Sequence, residues 1–260
     1  MSQPRVLLTN DDGIDSPGLH ALADALAPLA AVTTVAPATN QSGVGRERSK
    51  SVSVAEHDRG TAIEGTPADC VAYALRGLDA EFDLVVSGCN VGPNVGSYLL
   101  GRSGTVGAAV EAAFLGVPAI AVSGYHHAEF FPPTGSPYEV PAEATAFLAA
   151  RALAGELPED VDYLNVNAPI ESEGPMRVTE PIGDYDTAVE PSGEGLSLND
   201  TFWATAETNG SLPDLADCAA LYPIGSDRRA IAEGEVSVSP FRVPQSVAGR
   251  DGLSGVVESF

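Results

Sequence analysis

The first two thirds of the chain alternate short, β-branched apolar segments with alanine-rich segments whose apolar residues recur at helical spacing. This alternation predicts a parallel sheet wrapped by helices, because neighbouring parallel strands are joined by helical crossovers. The predicted strands are residues 5–9, 32–36, 51–57, 84–87, 119–123 and 163–166. The predicted helices are residues 19–29, 66–76, 103–116 and 141–154. The fold class that follows is α/β.

Cap and turn residues mark where several of these elements begin and end. Thr66 is a capping residue, Pro67 suits the first helical position and Asp69 is an early acid, so the start of this helix is well marked. Pro118 ends the helix that begins near residue 103. Residues 125–141 contain two histidines, four aromatic residues and four prolines, which predicts an irregular surface segment.

The character of the sequence changes after Pro169. Predicted strands at 176–180, 202–205 and 236–241 are separated there by long polar and acidic segments. We therefore divide the chain near residue 170 into a core of residues 1–170 and a C-terminal region of residues 171–260 that packs on the core.

The charge of the chain narrows its possible partners. The formal net charge is -23, so the protein repels nucleic acid polymers and anionic lipid surfaces. A small anionic ligand must therefore be held by a local binding site whose own charges and dipoles outweigh this repulsion. Lys50 is the single lysine beside twelve arginines. An acidic, lysine-poor surface is typical of a protein that stays hydrated in concentrated salt, and we interpret it as halophilic. The alternative is an ordinary acidic cytosolic protein.

Other sequence features exclude several classes. No stretch approaches the roughly 18 uninterrupted apolar residues that a membrane helix needs, so we expect a soluble globular protein. The first eight residues lack a basic segment followed by a long apolar run, which predicts a cytoplasmic location. Cys70, Cys89 and Cys218 are odd in number and widely spaced, so neither a disulfide framework nor a zinc site is indicated.

Polar loops follow three of the predicted strands, at residues 10–13, 38–48 and 88–105. Ligands of open parallel sheets bind beyond the carboxyl ends of the strands, where these loops lie. Asp11 and Asp12 are adjacent carboxylates directly after a buried strand, and they would repel each other unless a proton or a cation neutralised them. A hard divalent cation is one explanation. The alternative is that one aspartate caps the following helix and the other is solvated.

The other two loops offer further oxygen ligands. Ser42 could add a hydroxyl and Asn90 an amide oxygen, which would complete a four-ligand set that suits magnesium or manganese better than zinc. Each of these two residues alone fits an ordinary loop residue. Ser103, Gly104 and Thr105 stand where a helix begins, so their N–H groups, hydroxyls and the helix dipole could hold a phosphate. Simple helix capping is the alternative for these three residues.

Six motifs occur in order: VLLTNDDGI (6–14), AP (36–37) with Ser42 downstream, GTPADCV (65–71), VVSGCNVGPN (85–94), SGTVGAA (103–109) and LNVNAP (164–169). On these motifs the chain resembles the survival protein SurE family, metal-dependent 5'/3'-nucleotidases that hydrolyse nucleoside monophosphates. The resemblance is strong over residues 5–170 and weak over residues 226–240. It implies a Rossmann-like three-layer α/β/α core and a C-terminal β-hairpin arm exchanged between subunits of a homodimer or tetramer.

The resemblance also implies roles for individual residues. The family's ligands to one divalent cation per subunit, Mg or Mn, fall on Asp11, Asp12, Ser42 and Asn90. Its phosphate-contacting segments fall on Asn94 and on Ser103, Gly104 and Thr105, and Asn10 lies beside the metal. Where the family usually has an acid and then a tyrosine shortly before the Ser-Gly-Thr motif, this chain has Ser97 and residues 99–102, so the family's pocket shape and oligomer contacts do not carry over to this chain directly.

These assignments predict hydrolysis by direct attack of water on phosphorus. A bound cation would polarise the phosphoryl oxygens and activate the water, Asp11 or Asp12 would position or deprotonate it, and the amides of residues 103–105 would meet the developing charge. We group Asn10 with the two aspartates as catalytic.

Two further points stay open from sequence. His126 and His127 could protonate the leaving nucleoside or form a solvated loop pair. Tyr125, Phe130 and Phe131 could stack a nucleobase or cover a hydrophobic edge.

Two other functions compete with a nucleotidase. A nucleoside hydrolase also places clustered aspartates early in a Rossmann-like sheet, but it has no use for the Ser-Gly-Thr helix start. A non-catalytic sensor of metal or nucleotide would bind without turnover.

Overall fold

The computed structural model describes residues 3–171, 174–185, 187–200 and 218–243. Its strands are β1 Arg5–Thr9, β2 Ala31–Pro37, β3 Ser53–His57, β4 Gly60–Glu64, β5 Leu84–Val91, β6 Ala119–Tyr125, β7 Tyr163–Pro169, β8 Met176–Val178, β9 Thr187–Ser192, β10 Gly195–Asp200 and β11 Val236–Phe241. Its α-helices are α1 Pro17–Leu26, α2 Pro67–Gly77, α3 Ser97–Leu100, α4 Gly104–Phe114, α5 Glu139–Leu153 and α6 Asp227–Ala232, with a 3₁₀ turn at Ala219–Leu221.

A nine-stranded sheet in the order β3-β4-β2-β1-β5-β6-β7-β11-β8 forms the centre of the fold. The strands from β4 to β7 pair in parallel, whereas β3 runs antiparallel to β4 and β11 runs antiparallel to β7. Helices cover both faces, so the expected three-layer α/β fold is confirmed.

The two helical layers bury opposite faces of the sheet. Along β1, Val6 and Leu8 point into the core shared with α1 and α5. Leu7, between them, points into the core shared with α2 and α4. Because both faces of β1 are buried, its residues are apolar without alternation, as the sequence pattern indicated.

The start of α2 is where the sequence predicted it. The Thr66 hydroxyl accepts a hydrogen bond from the N–H of Asp69 at 3.2 Å, and the Asp69 carboxylate accepts one from the N–H of Thr66 at 2.9 Å. Burial acts to raise the pKa of Asp69, but hydrogen bonds from Thr66 and Ser49 outweigh it and hold this pKa below its usual value. This reciprocal cap satisfies two of the helix's unpaired N–H groups.

Several strand assignments differ from the sequence prediction, among them β9 and β10, which form a hairpin where long polar and acidic segments were expected. β4 was not predicted, because the glycine and charged residues of the turn before it interrupt the apolar pattern; the strand forms by pairing with both β2 and β3. β5 continues to Val91 rather than ending at Ser87, since its pairing with β6 resumes at Asn90 after a register shift. The predicted strand at 202–205 lies outside the described residues.

The chain after residue 170 contributes strands to the same sheet. β11 pairs with β7, and β8 pairs with β11 at the sheet edge. β9 and β10 form a separate antiparallel hairpin. The division near residue 170 stays a prediction.

None of the helices in the described part of the chain is long and apolar enough to cross a membrane.

Candidate active site

A crevice at the carboxyl ends of β1 and β5 collects most of the predicted site residues. The two strands are neighbours, but α1, which follows β1, packs on one face of the sheet and α4, which follows β5, packs on the other. Such a reversal leaves a crevice beyond the strand ends, where ligands of this fold class bind. Asp11 and Asp12 follow β1, and Asn90 is the next-to-last residue of β5.

Asp11 lies against the start of α4. Its side chain is 2% exposed, and the Thr105 hydroxyl donates a 2.5 Å hydrogen bond to its carboxylate. A Cβ atom on Gly104 would lie 2.8 Å from the Cβ of Asp11, so only glycine permits this approach. Burial, aided by the charge of Asp12, raises the pKa of Asp11 to about 6 against the lowering effect of Thr105.

Asp12 is held in a fixed orientation by two donors. The side-chain amide of Asn40 donates to one carboxylate oxygen at 3.2 Å, and the N–H of Val91 donates to the other at 3.1 Å. Burial raises the pKa of Asp12 as well. The side-chain oxygen of Asn40 in turn accepts from the N–H of Ser42 at 2.9 Å, so Asn40 links the loop that carries Ser42 to Asp12.

The donor set of this crevice fits a hard divalent cation. Among the residues that the structure describes, no arginine, lysine or histidine pairs with either aspartate. The amide nitrogen of Asn90 donates to the Gly92 carbonyl at 2.7 Å, which orients the amide so that its oxygen is the atom that could serve a cation. The described ranges contain no group of three His, Cys, Asp or Glu side chains suited to a metal, so the set depends on neutral oxygens.

Asn10 is fully buried and its side chain closes the turn after β1. Its amide nitrogen donates to the Gly13 carbonyl at 2.9 Å and to the Ser16 hydroxyl at 2.7 Å, and its oxygen accepts from the Gly13 N–H at 3.2 Å. Because both ends of the amide are engaged within the turn, Asn10 shapes the loop that carries the two aspartates.

The start of α4 is capped by the residue that precedes it. The Ser103 hydroxyl accepts from the N–H of Val106 at 3.1 Å, so the helix-capping alternative describes this side chain correctly. The capping leaves the helix's positive end directed at the crevice, next to Asp11.

Asn94 sits in a clamp built by two neighbouring strands. Its backbone N–H donates to the Asn167 side-chain oxygen at 2.7 Å, and its carbonyl accepts from the side-chain amides of Asn165 at 2.8 Å and Asn167 at 3.1 Å. Its side-chain amide donates to the Ser123 hydroxyl at 2.9 Å. The loop after β5 is therefore fixed at this point by β6 and β7.

A buried carboxylate from the C-terminal region fixes the same loop two residues later. Asp227, at the start of α6, is 0% exposed and accepts hydrogen bonds from the N–H groups of Gly96 at 2.6 Å and Ile182 at 3.1 Å. The region after residue 170 thus helps to position the loop that follows β5.

Sequence reasoning missed Asn40, Asn165, Asn167 and Asp227 as residues that position the site. Asn165 and Asn167 stood inside the quoted LNVNAP motif, and two asparagines in a strand that is otherwise apolar were the available signal. Asn40 lies in the polar loop 38–48 and Asp227 in the weakly matching stretch 226–240, but no local pattern indicated their contacts with Asp12 and with Gly96, which are distant in sequence.

Asn167→Ala is expected to destabilise the protein more than Asn165→Ala. The first change leaves the buried N–H of Asn94 without an acceptor, which costs about 1–3 kcal/mol; the second removes one of two donors to a carbonyl, worth about 0.5–1.5 kcal/mol. Denaturant unfolding of both variants at molar salt measures the order. The reverse order would contradict the clamp.

The segment after β6 holds the remaining candidates. The ring of His126 accepts from the N–H of Glu129 at 3.0 Å, and the ring of His127 lies 2.9 Å from the Ala232 carbonyl, so both histidines are engaged within the segment and with α6. Tyr125 and Phe130 are buried, whereas Phe131 is half exposed.

Comparison with known proteins agrees with this architecture. The profile of a family described as "Survival protein SurE" matches residues 6–185. A protein named 5'-nucleotidase SurE from Natronomonas pharaonis is 48% identical over 98% of this chain and 99% of its own length. Another of the same name from Halobacterium salinarum is 49% identical over 99% and 98%. The crystal structure of the SurE protein from Aquifex aeolicus matches with a TM-score of 0.76 at 30% identity, over 98% of this chain and 99% of that one.

Proposed function

Because this chain belongs to the survival protein SurE family, we propose that it is a phosphomonoesterase that hydrolyses nucleoside 5'-monophosphates to a nucleoside and inorganic phosphate. Its relatives named 5'-nucleotidase match nearly the whole chain. The structural observation that carries the proposal is the pair of aspartates after β1, of which Asp11 is buried against the start of α4, since the carboxylates and the helix start together offer a cation site and an anion site at one crevice.

We assign the cation site to Asp11, Asp12, Ser42 and Asn90, which would hold one divalent ion, Mg or Mn. Such an ion, when bound, polarises the phosphoryl oxygens and lowers the pKa of a nearby water. The two carboxylates supply the negative charge that holds it, and the hydroxyl and amide supply neutral oxygens.

The chain's own residues supply orientation. Asp12, fixed by Asn40 and Val91, holds the attacking water in line with the phosphorus and accepts its proton. The N–H groups at the start of α4 and the hydroxyl of Ser103 bind the phosphoryl oxygens as negative charge develops, and Thr105, whose hydroxyl donates to Asp11, takes part through its place at the helix start. Asn94 binds the same group, and the clamp on its backbone keeps it in place.

The proposal extends to the oligomeric state of the protein. We propose a homodimer or tetramer in which the hairpin of β9 and β10 contacts another subunit. Val189, Leu196 and Leu198 on this hairpin are 54%, 67% and 74% exposed, which is apolar surface that a subunit contact would cover.

Product analysis separates this function from its alternatives. Incubation with AMP should release phosphate and adenosine in equal amounts. Release of free adenine instead would indicate a nucleoside hydrolase. Saturable AMP binding with neither product would indicate a sensor, and both results would overturn the proposal.

A further inference from the structure

An exposed aromatic ring borders the crevice beside the proposed cation site. Phe131 is 49% exposed, and two of its ring carbons, Cδ1 and Cε1, lie 2.5 Å from where a Cβ on Gly92 would be. The Gly92 carbonyl accepts a hydrogen bond from the side-chain amide of Asn90, and the N–H of Val91 donates one to the Asp12 carboxylate. One edge of the ring therefore packs on the segment of residues 91–92, which is hydrogen-bonded to both proposed ligands, Asn90 and Asp12.

The segment around this ring is fixed. Phe130 is 4% exposed, and its ring packs edge-to-face on Phe131 with centroids 5.0 Å apart. The backbone of Phe130 pairs with His126 through two hydrogen bonds, and its φ of 66° is rare for an aromatic residue. Such a conformation persists where surrounding contacts enforce it. The segment thus presents Phe131 at the rim in one orientation.

Phe131 differs from the other half-exposed phenylalanines. Phe114 and Phe147 are 50% and 51% exposed, and each lies beneath an arginine, at 4.7 Å from Arg46 and 5.1 Å from Arg151. In the described part of the chain, the only ring contact of Phe131 is Phe130. Its outer face is open to a planar ligand, which the covered rings of the other two are not.

We propose that Phe131 stacks on the nucleobase of the substrate. The inference rests on the proposed function, since a phosphate held in the crevice by the start of α4 leaves the ribose and base to extend toward the rim. Stacking on an aromatic ring contributes about 1–3 kcal/mol per base and tolerates any base, because every base has a π face. A neutral aromatic ring also suits a chain of net charge -23, because the 13 lysine and arginine residues are far outnumbered by the 36 acidic residues. The substrate class is then nucleotides in preference to sugar phosphates.

The test compares AMP with ribose 5-phosphate, which lacks the base, as substrates of wild type, Phe131→Ala and Phe131→Trp. Phe147→Ala is the matched control, because its ring is equally exposed but lies on α5. Phe131→Ala should lower kcat/KM for AMP by about 5-fold to 100-fold through KM, as expected from the loss of one stacking contact. The same variant should leave ribose 5-phosphate unchanged, and Phe131→Trp should retain the preference for AMP.

Equal losses on both substrates would show that the ring merely shapes the site, and no loss on either would show that it covers a surface edge; each result overturns the inference. Calorimetry with a non-hydrolysable phosphonate analogue of AMP separates this inference from the proposed function. If Phe131→Ala weakens binding of this analogue but wild type releases no phosphate from AMP, the stacking role stands and the hydrolytic function fails.

Discussion

Asp11→Asn is expected to lower kcat/KM for AMP by at least about 100-fold, because it removes a charged ligand at the proposed cation site. Mutation of residues that merely hydrogen-bond a metal ligand already lowers metal affinity or activity by about 10–100-fold. The metal-free variant should be as stable as wild type or more stable. Asparagine can still accept the hydrogen bond from Thr105, and the change removes a buried charge that lies next to Asp12.

Thermal melting provides a second readout for this prediction. Binding of Mn²⁺ to the folded state alone should raise the melting temperature of wild type with metal concentration, and Asp11→Asn should lose that rise. Asp15→Asn serves as the control, since its side chain is 81% exposed and lies in the same loop region. Ser42→Ala should have a milder effect than Asp11→Asn, because water can replace one neutral ligand. Normal turnover by both Asp11→Asn and Asp12→Asn would show the pair to be structural.

Stability and activity are expected to increase together from about 0.1 M to molar salt, where the Debye length falls to about 3 Å. With a net charge of -23, unscreened repulsion opposes the compact state, subunit contacts and the approach of a phosphate dianion. We expect the melting temperature to rise on the order of 10 °C, since a domain of this size gains about 2–4 °C per kcal/mol. Similar relatives from halophilic archaea support this expectation.

Melting, turnover and light scattering across a series of KCl and NaCl concentrations, at saturating divalent ion, measure this prediction. The two salts should act alike because screening depends on ionic strength. The salt effect on melting should shrink near pH 4, where many carboxylates are protonated. A protein equally stable, active and associated at the low end would show that the lysine-poor surface is not a salt adaptation.

Local signals predicted local structure well. The start of α2 followed from Thr66, Pro67 and Asp69 alone, because a capping box is made within four residues. The proximity of Asp12 and Asn90 was also predictable, since the carboxyl ends of neighbouring parallel strands meet at one edge. Their roles as ligands stay predictions.

Long-range polar contacts could not be predicted in the same way. The hydrogen bonds to the backbone of Asn94 come from residues more than 70 positions away, and the bond from Gly96 to Asp227 spans 131 positions. No local pattern encodes such pairings, because they depend on strand order and register. The strand β4 was missed for the same reason, since pairing on both sides stabilises a segment whose own pattern is weak.

The most direct measurement is phosphate release from AMP by protein treated with EDTA, assayed at molar KCl before and after Mn²⁺ or Mg²⁺ is restored. The account predicts that the treated protein is folded by circular dichroism but inactive, and that either ion restores release of phosphate and adenosine in equal amounts. Full activity in the treated protein, with no bound divalent ion detected by elemental analysis, would contradict it.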